Sequence, residues 1–576
     1  MKSRETSSFH DWRFMLVVVL LVALALLLVW RLVSLQLLDT ERGYQFLQDQ
    51  GDARALRDEL IPVHRGIISD RNGEPLAVST PVESLSANPQ EFVIKDADWL
   101  RLAQALGTPV DELRQKMAAN SSRQFVYLRR HMNPDAAKQV MDLKIPGITS
   151  RREYQRFYPA GPVAAHVVGL TNIDDHGQEG IEATYEGWLK SVPGRKRVIK
   201  DRYSHVIRDV QELEPARPGQ ALDLSIDLRI QYLAYRELKK TVEALGAESG
   251  SIVLLDSRTG EILAMTNFPS YNPNNRGAAV RDAMRNRVVT DTTEPGSTVK
   301  PLTVMTALES GKYTPETLVD TTPGYIRVGR KTFRDHNSLG VIPVTTIITK
   351  SSQVGTTKLA LSLNPEDIHE NFRRAGFDRI AGEGLKGEVS GTFPSPRRWD
   401  DLTRATFAFG YGVSVTPLQL ARAYLMLANG GKSRPVKILK VTEVPPATQV
   451  FPADRVAQIV AMLETVTQKG GTALKAAIPG YRVAGKTGTV HRSGGKDGYK
   501  ADRYQSLFAG FAPARDPRIV GVVVITDPRG GVYYGGAVAA PVFSSVVRGA
   551  LRLLNVPPDD LPQLQVAERA VPGAPT

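Results

Sequence analysis

Cysteine does not occur in this chain of 576 residues. Disulfide bonds, thiolate metal sites and cysteine nucleophiles are therefore all excluded. The 9 histidines show no spacing typical of metal ligands, so we expect no metal site. A basic run is also missing, because the net charge of +13 is spread along the chain. This distribution argues against a nucleic-acid partner and favours anionic envelope polymers or lipid surfaces.

The sequence has one long apolar run, near its N-terminus. Phe14 to Trp30 is 17 residues without a charge, close to the roughly 20 residues that span a bilayer. A cleaved signal peptide is the alternative, but the run continues into Arg31-Leu32-Val33 without a small-residue cleavage site. We predict an uncleaved transmembrane anchor over 14–34. The positive charges on its two sides differ little, and the short segment 1–13 favours a cytoplasmic N-terminus with the bulk outside.

The remaining chain is long enough for more than one domain. A cluster of breakers, Pro215-Ala216-Arg217-Pro218-Gly219, predicts a boundary between an N-terminal domain over 35–215 and a second domain over 216–555. Leu32 to Leu60 is predicted to be an amphipathic helix. Residues 556–576 are rich in Pro and Ala and are predicted to be a flexible tail.

The second domain begins and ends with predicted strands. Ser251–Leu255 and Glu261–Thr266 form a predicted hairpin, and Ser506–Ala512 and Arg518–Thr526 are further apolar strands. Helices are predicted between them. This order indicates an α+β domain whose sheet is closed by distant parts of the sequence.

A serine and a lysine are spaced three residues apart at a predicted helix start. Ser297-Thr298-Val299-Lys300 follows Glu294-Pro295-Gly296 and precedes an apolar run. Positions i and i+3 share a helix face, so Lys300 can reach the Ser297 hydroxyl. A second match, Ser493-Gly494-Gly495-Lys496, contains two glycines that leave its Ser and Lys unfixed. An ordinary capped helix is the alternative explanation of the first match.

A second lysine follows in Lys486-Thr487-Gly488-Thr489, on a predicted strand. Gly488 lets another backbone approach closely. Thr487 and Thr489 can hydrogen-bond a substrate carboxylate that Lys486 attracts, and the backbone N–H groups of Ser297 and Thr489 are candidates for an oxyanion hole.

Each of two lysines near one serine lowers the pKa of the other, and burial lowers both pKa values further. Lys300 can therefore be neutral and act as a base. Together the two motifs predict an enzyme that opens amides or β-lactams through an acyl-serine intermediate. A solvated edge strand is the alternative for the second motif.

The chain resembles the class B penicillin-binding proteins, anchored D,D-transpeptidases that crosslink peptidoglycan, over nearly its whole length. The likeness is strongest to the division-specific, penicillin-binding protein 3 type. That finer likeness rests on the length of the chain and on the context Lys350-Ser351-Ser352. Besides the motifs above, the resemblance to the class B family rests on Arg65-Gly66-Ile67-Ile68, Asp70-Arg71-Asn72-Gly73, Arg156-Phe157-Tyr158-Pro159, Gly177-Gln178-Glu179-Gly180-Ile181-Glu182, Gly410-Tyr411-Gly412, Thr416-Pro417 and Tyr533-Tyr534-Gly535-Gly536.

One motif departs from this family. The family has Ser-x-Asn between the other two motifs, whereas the matching context here is Ser351-Ser352-Gln353. Gln keeps the amide but adds one methylene, which moves its donor and acceptor by about an ångström or more. A literal Ser-x-Asn at Ser362-Leu363-Asn364 precedes Pro365 and is predicted to be a helix cap.

The resemblance implies a membrane-anchored protein of two α+β domains. It implies an elongated N-terminal pedestal domain, which contacts other proteins, and a transpeptidase domain with a mainly antiparallel five-stranded sheet flanked by helices. It places the chain in the bacterial inner membrane with a single span and the catalytic domain in the periplasm. No glycosyltransferase segment is evident before residue 215, so a separate glycosyltransferase and division proteins are expected partners.

The resemblance also implies the chemistry, without a metal or organic cofactor. Ser297 attacks the penultimate D-Ala carbonyl of a stem peptide, Lys300 is the base, and Ser351 relays a proton with Lys486. Thr487, Gly488, Thr489 and Gln353 bind substrate. The expected process is septal wall synthesis.

β-Lactams are expected to acylate Ser297 and remain, because nothing resembles a deacylating Glu. Two alternatives stay open. One is a D,D-carboxypeptidase or β-lactamase. The other is a non-catalytic scaffold or β-lactam sensor, for which Gln353 is the support.

Overall fold

A computed structural model describes residues 11–36, 56–200, 206–275, 277, 280–382, 384–493 and 499–560. Its helices, in chain order, are α1 (Asp11–Gln36), α2 (Asp96–Leu106), α3 (Val110–Ala119), α4 (Pro134–Met141), α5 (Ala165–Val168), α6 (Gly180–Thr184), α7 (Glu186–Leu189), α8 (Leu228–Ala244), α9 (Arg281–Met284), α10 (Arg287–Thr290), α11 (Lys300–Glu309), α12 (Val344–Lys350), α13 (Gln353–Ser362), α14 (Pro365–Arg374), α15 (Asp401–Ala408), α16 (Pro417–Ala428), α17 (Ala453–Thr467) and α18 (Gly535–Leu553). Its strands are β1 (Leu56–Ile61), β2 (Ile68–Ser69), β3 (Pro75–Ala87), β4 (Val126–Met132), β5 (Ile148–Phe157), β6 (Leu170–Thr171), β7 (Gly177–Glu179), β8 (Gly194–Lys200), β9 (Val206–Glu214), β10 (Leu222–Asp223), β11 (Ser249–Asp256), β12 (Ile262–Phe268), β13 (Leu318–Asp320), β14 (Tyr325–Val328), β15 (Lys331–Arg334), β16 (Val341–Pro343), β17 (Lys432–Ser433), β18 (Thr448–Gln449), β19 (Ala484–Ser493), β20 (Tyr499–Ala512) and β21 (Ile519–Thr526).

The predicted anchor lies within α1. Trp12–Ser34 is a stretch of 23 residues, long and apolar enough to cross a membrane. The predicted helix over 32–60 is wrong at its far end, because Leu56–Ile61 is strand β1. Strand β1 pairs with β8, and Asp58 of β1 lies opposite Arg197 of β8. Those partners are distant in sequence, so the local pattern of charges could not reveal the strand.

The chain divides into two compact units. Unit 1 comprises residues up to 64, 80–155 and 191–219, and unit 2 comprises 65–79, 156–190 and the chain from 220 onward. Two segments of the predicted N-terminal domain therefore belong to unit 2. At the other end, Val556 accepts a hydrogen bond from Tyr481 and Asp560 donates one to Gly480. The described chain thus stays packed to residue 560, and the rest of the predicted tail lies outside it.

Unit 1 has a small apolar core and a charged sheet. The core lies between helices α2 to α4 and neighbouring strands, and includes Leu85, Leu102, Leu113 and Leu128. A separate antiparallel sheet has the order β1-β8-β9. Its strands carry opposite charges that pair across them, as Lys196 does with Asp209.

Unit 2 is built on a five-stranded antiparallel sheet of order β12-β11-β21-β20-β19. Helices α8 and α18 pack on each other and on one face, and α16 covers the other. All eight residues of β11 are buried, as expected for a strand covered on both faces. The predicted hairpin is β11–β12, and the predicted later strands are β20 and β21, so the α+β prediction is confirmed.

Three of the N-terminal family segments meet in unit 2 around one carboxylate. Glu182 accepts hydrogen bonds from Arg65 Nε and Arg156 Nε, each at 2.6 Å. The Arg65 and Glu182 side chains are fully buried, and that of Arg156 is 1% exposed. A buried charge requires a partner. The two arginines and the glutamate therefore hold these distant segments together in one compact unit.

Candidate active site

Ser297 lies on a tight turn that leads into α11. The 3₁₀ turn Gly296–Val299 is followed directly by the helix, as the sequence predicted. Gly296 has a φ of +54°, and a Cβ there would lie 2.3 Å from Val490 Cγ1. A side chain at this position is excluded on both counts. The glycine therefore lets the turn pack directly against β19.

Lys300 is fully buried behind this turn. Its Nζ donates to Ser351 O at 2.6 Å and to Ser352 O at 3.2 Å, and lies 3.3 Å from Ser351 Oγ. Burial lowers the pKa of Lys300 to about 7, opposed by the charge of Asp335. A neutral amine has two N–H donors and one lone pair. With two carbonyls as acceptors, the lone pair remains for a hydroxyl proton.

Ser351 ends α12 in a left-handed conformation with a φ of +57°. This is uncommon for a residue with a side chain and costs on the order of 1–3 kcal/mol. The turn places both its carbonyl and its hydroxyl beside Lys300 Nζ. Backbone strain of this kind is typical of functional sites.

Asp335 fixes the turn from outside. Its carboxylate accepts hydrogen bonds from Ser352 Oγ at 2.6 Å, Gln353 N at 2.6 Å and Val354 N at 3.2 Å. These groups lie at the N-terminus of α13, where a negative charge is favourable. Sequence reasoning missed Asp335, because nothing local links it to residues 352–354.

Strand β19 forms the facing side of the site. Lys486 is fully buried, and its pKa is lowered well below the usual value by burial and by the charge of Lys300. Thr487 Oγ1 lies 3.1 Å from Thr472 Oγ1, and Thr489 Oγ1 accepts from Gly535 N at 3.0 Å. A Cβ on Gly488 would lie 3.0 Å from Pro295 O. The predicted close approach at Gly488 is therefore present.

These elements surround a cavity of about 620 Å³. The predicted residues Ser297, Ser351, Gln353, Thr487 and Thr489 all line it. Lys300 and Lys486 are buried next to lining residues rather than lining the cavity themselves. The structure thus brings together residues from all three predicted motifs.

An aromatic wall also lines the cavity. Tyr504 stacks on Tyr533 with ring centroids 4.0 Å apart, and Tyr533 stacks on Tyr534 at 4.6 Å. His491 and His336 contact the outer tyrosines of this row. The sequence analysis identified Tyr533 and Tyr534 as part of a family segment and not as cavity-lining residues. The two adjacent tyrosines were the signal in the sequence that could have indicated an aromatic wall.

The competing motif matches lie elsewhere. Ser362 Oγ donates to Leu359 O at 2.7 Å and contacts Tyr313 Oη at 2.8 Å, and it does not line the cavity. Asn364 is the residue before α14, as predicted for a cap, although its side chain makes no capping hydrogen bond. Ser493 ends β19, and its lysine partner in the second Ser-x-x-Lys lies outside the described residues.

Two protein-family models match this chain. The model of the penicillin-binding protein transpeptidase domain matches residues 250–548, and that of the penicillin-binding protein dimerisation domain matches residues 60–224. The chain is 45% identical to the peptidoglycan D,D-transpeptidase FtsI of Escherichia coli over 97% of its length and 95% of the relative's. It is 42% identical to the probable peptidoglycan D,D-transpeptidase PbpC of Pseudomonas aeruginosa over 96% of this chain and 98% of that one.

Solved structures show the same folds. The transpeptidase domain of penicillin-binding protein 3 from Burkholderia pseudomallei is 38% identical, with a TM-score of 0.54, and covers 59% of this chain and 98% of its own. Penicillin-binding protein 3 from Mycobacterium tuberculosis, in complex with aztreonam, is 27% identical, with a TM-score of 0.67, and covers 87% of this chain and 98% of its own.

The chain therefore belongs to the class B penicillin-binding proteins, which join a dimerisation domain to a serine transpeptidase domain. Its resemblance to the penicillin-binding protein 3 type is confirmed. Within the family it is similar to FtsI along nearly all of both chains.

Proposed function

We propose that this chain, a peptidoglycan D,D-transpeptidase by its family, uses Ser297 as nucleophile and Lys300 as its base. The observation that carries the proposal is the environment of Lys300 Nζ. Two backbone carbonyls take its N–H groups, and burial lowers its pKa to about 7. A neutral amine with a free lone pair, one helical turn from a serine that lines the cavity, is equipped to accept the hydroxyl proton.

The first half of the reaction forms the acyl-enzyme. Ser297 Oγ attacks the penultimate D-Ala carbonyl and gives its proton to Lys300 Nζ. The C–N bond to the terminal D-Ala then breaks, and that amine takes a proton relayed through Ser351 with Lys486. Ser351 Oγ, 3.3 Å from Lys300 Nζ, is in reach for this transfer.

The second half transfers the acyl group to an amine of a neighbouring stem peptide. The amine nitrogen attacks the ester carbonyl and loses a proton to the same relay, and the C–O bond to Ser297 breaks as the serine regains its proton. Thr487 and Thr489 hold the donor carboxylate beside Lys486. The backbone N–H groups of Ser297 and Thr489 stabilise the oxyanion.

Transfer to an amine is favoured over hydrolysis because no free carboxylate is found among the described residues that line the cavity. Among the described residues that line it, Asp335 is the one acid, and both of its oxygens accept hydrogen bonds from the turn at 352–354. A group so engaged is poorly placed to activate water. β-Lactams should therefore acylate Ser297 and remain bound, which disfavours a β-lactamase or carboxypeptidase.

Gln353 takes the place of the family's asparagine in substrate binding. Its backbone N–H is fixed by Asp335 at 2.6 Å, and its side chain lines the cavity. The added methylene extends the amide further from this fixed point than Asn would. We expect the side-chain amide of Gln353 to form hydrogen bonds with substrate amides. Its position should therefore influence the substrate range and the affinity for β-lactams.

The apolar helix α1 supports a single-pass location in the bacterial inner membrane. We place residues 1–13 in the cytoplasm and the catalytic unit in the periplasm, where peptidoglycan is crosslinked. A separate glycosyltransferase would supply the glycan strands, and unit 1 and the anchor would contact it and division proteins during septal synthesis. An alkaline phosphatase fused after Asp560 should be active in whole cells, and an inactive fusion would contradict this orientation.

The chemistry is tested by acylation of the full chain in detergent with a fluorescent penicillin, read by intact mass. The wild type should carry one stable adduct, and Ser297→Ala none. An adduct on Ser297→Ala would show that another residue is the nucleophile. Absence of any adduct at every pH would favour the non-catalytic scaffold, and rapid loss of the adduct would favour a hydrolase.

A further inference from the structure

A strongly basic β-hairpin adjoins the catalytic cavity. Strands β14 and β15 together with their turn span 325–334 and carry Arg327, Arg330, Lys331 and Arg334 without any acidic residue. All four side chains are exposed. Within the described chain, no carboxylate forms an ion pair with any of them. Four unpaired like charges in ten residues repel one another, so an anionic partner would be favourable.

The hairpin is rigidly held by its other face. Phe333 and Val328 are buried with Ala405 and Phe409, and the Phe333 and Phe409 rings lie 5.2 Å apart. The connecting turn begins at Gly329, whose φ of +56° suits the first position of a tight hairpin turn. Arg327 and Arg334 are therefore carried on the opposite face of a packed hairpin, while Arg330 lies in its turn and Lys331 lies opposite Val328 at its end.

The outward face leads to the nucleophile. Arg334 lies opposite Tyr325, with its guanidinium 5.0 Å from the ring centroid, and Arg327 is on the same face one diagonal step away. Arg334 lines the same cavity as Ser297. The next residue, Asp335, holds the turn at 352–354. An anion bound at Arg334 would therefore lie at the wall of the cavity that holds Ser297.

We infer that this hairpin binds the C-terminal carboxylate of the acceptor stem peptide. The inference rests on the proposed function, in which Thr487 and Thr489 on β19 hold the donor carboxylate until it leaves with the terminal D-Ala. The second substrate brings an amine to Ser297 and ends in a carboxylate of its own. The basic hairpin is a cationic surface that reaches the cavity at Arg334, and it is separate from the strand that binds the donor.

The test separates the two halves on the full chain in detergent. The hairpin variant is Arg327→Gln, Arg330→Gln and Lys331→Gln together, which leaves Arg334 in place. The control variant is Lys475→Gln, Arg548→Gln and Arg552→Gln, which removes three equally exposed cations elsewhere in unit 2. Fluorescent penicillin reports acylation, and both variants should stay within about twofold of the wild type.

Acceptor use is measured by aminolysis of the acyl-enzyme formed from a soluble thioester donor. The acceptor is a synthetic stem peptide with a free side-chain amine and one terminal D-Ala, made as the free acid or as the amide. Each exposed ion pair changes binding by about 1.5- to fivefold. The hairpin variant should therefore need at least about threefold more of the acid acceptor than the wild type does, and no more of the amide acceptor. The control variant should use both acceptors as the wild type does. Added salt should weaken the wild-type preference for the acid.

Equal use of both acceptors by the wild type, or an equal loss of both in the hairpin variant, would overturn the inference. If the hairpin variant used the acid and the amide acceptors as well as the wild type does, the inference would also be overturned. The four cations would then point to an acidic protein as their partner. If the wild type itself is not acylated, the proposed function fails first, and the penicillin adduct distinguishes that case.

Discussion

Replacing Asp335 with Asn removes a negative charge from the turn that leads into the cavity. The carboxylate accepts hydrogen bonds from Ser352 Oγ and from the backbone N–H groups of Gln353 and Val354. Its charge also favours the protonated form of Lys300, against the effect of burial. The substitution therefore has two separable effects, one on the geometry of the turn and one on the pKa of the base.

The first effect can be sized from the hydrogen bonds. A hydrogen bond to a charged group contributes about 1.5–3 kcal/mol. Asn keeps one oxygen acceptor, so Asp335→Asn loses at least one such bond. At about 1.4 kcal/mol per tenfold in rate, the second-order rate constant for acylation by penicillin should fall about 10- to 100-fold.

The second effect has a definite sign. Acylation needs neutral Lys300, so the rate rises with pH through its pKa of about 7. Removing the charge of Asp335 lowers that pKa further, and the acid limb of the pH profile should move to lower pH. Acylation rates between about pH 5.5 and 9 measure both effects. Asp320→Asn is the control, because Asp320 accepts from Thr322 N and Oγ1 and does not line the cavity. A limb that moves to higher pH, or a rate within twofold of the wild type at every pH, would refute the reasoning.

Three further substitutions test other parts of the structure. Glu182→Gln leaves the buried Arg156 without a carboxylate and leaves Arg65 with Glu186 alone, at a cost of about 3–5 kcal/mol. The melting temperature should fall clearly, and a value unchanged from the wild type would contradict a buried ion cluster. Lys300→Met removes a lysine that is mostly protonated in the unfolded chain and mostly neutral in the folded protein between about pH 7 and 10. The stability of the wild type should therefore rise with pH over that range relative to the stability of the variant. Melting temperatures of the two proteins that change in parallel with pH would contradict a lowered pKa. Gln353→Asn shortens the amide by one methylene; the rate of penicillin acylation should change by about threefold or more while Lys300 keeps its pH profile, and identical rates for several β-lactams would show that the amide does not contact them.

Much of the site could be predicted from the sequence, because its chemistry depends on short local spacings. Ser297 and Lys300 are placed by one helix start, and Thr487 and Thr489 by alternation along one strand. The main sheet was also predictable, since Ser251–Leu255 and Arg518–Thr526 are apolar runs of strand length. Local pattern was sufficient wherever one element carries several functional groups.

The remaining features depend on contacts between distant residues. Leu56–Ile61 has the charge pattern of a helix surface, but pairing with β8 makes it a strand. Asp335 is tied to Ser352 only through the fold, and the two segments 65–79 and 156–190 enter unit 2 without a change in composition. No window of sequence contains these relations, so no reading of local pattern could supply them.

Strand β19 ends the described sheet, so one of its two edges has no partner strand there. An open edge presents backbone N–H and C=O groups to any extended chain that lies along it. Recognition through the main chain depends little on most side chains, so an edge of this kind suits extended peptides that differ in composition. For the same reason, a small molecule that mimics a peptide backbone can form the same hydrogen bonds with this edge as a peptide substrate does.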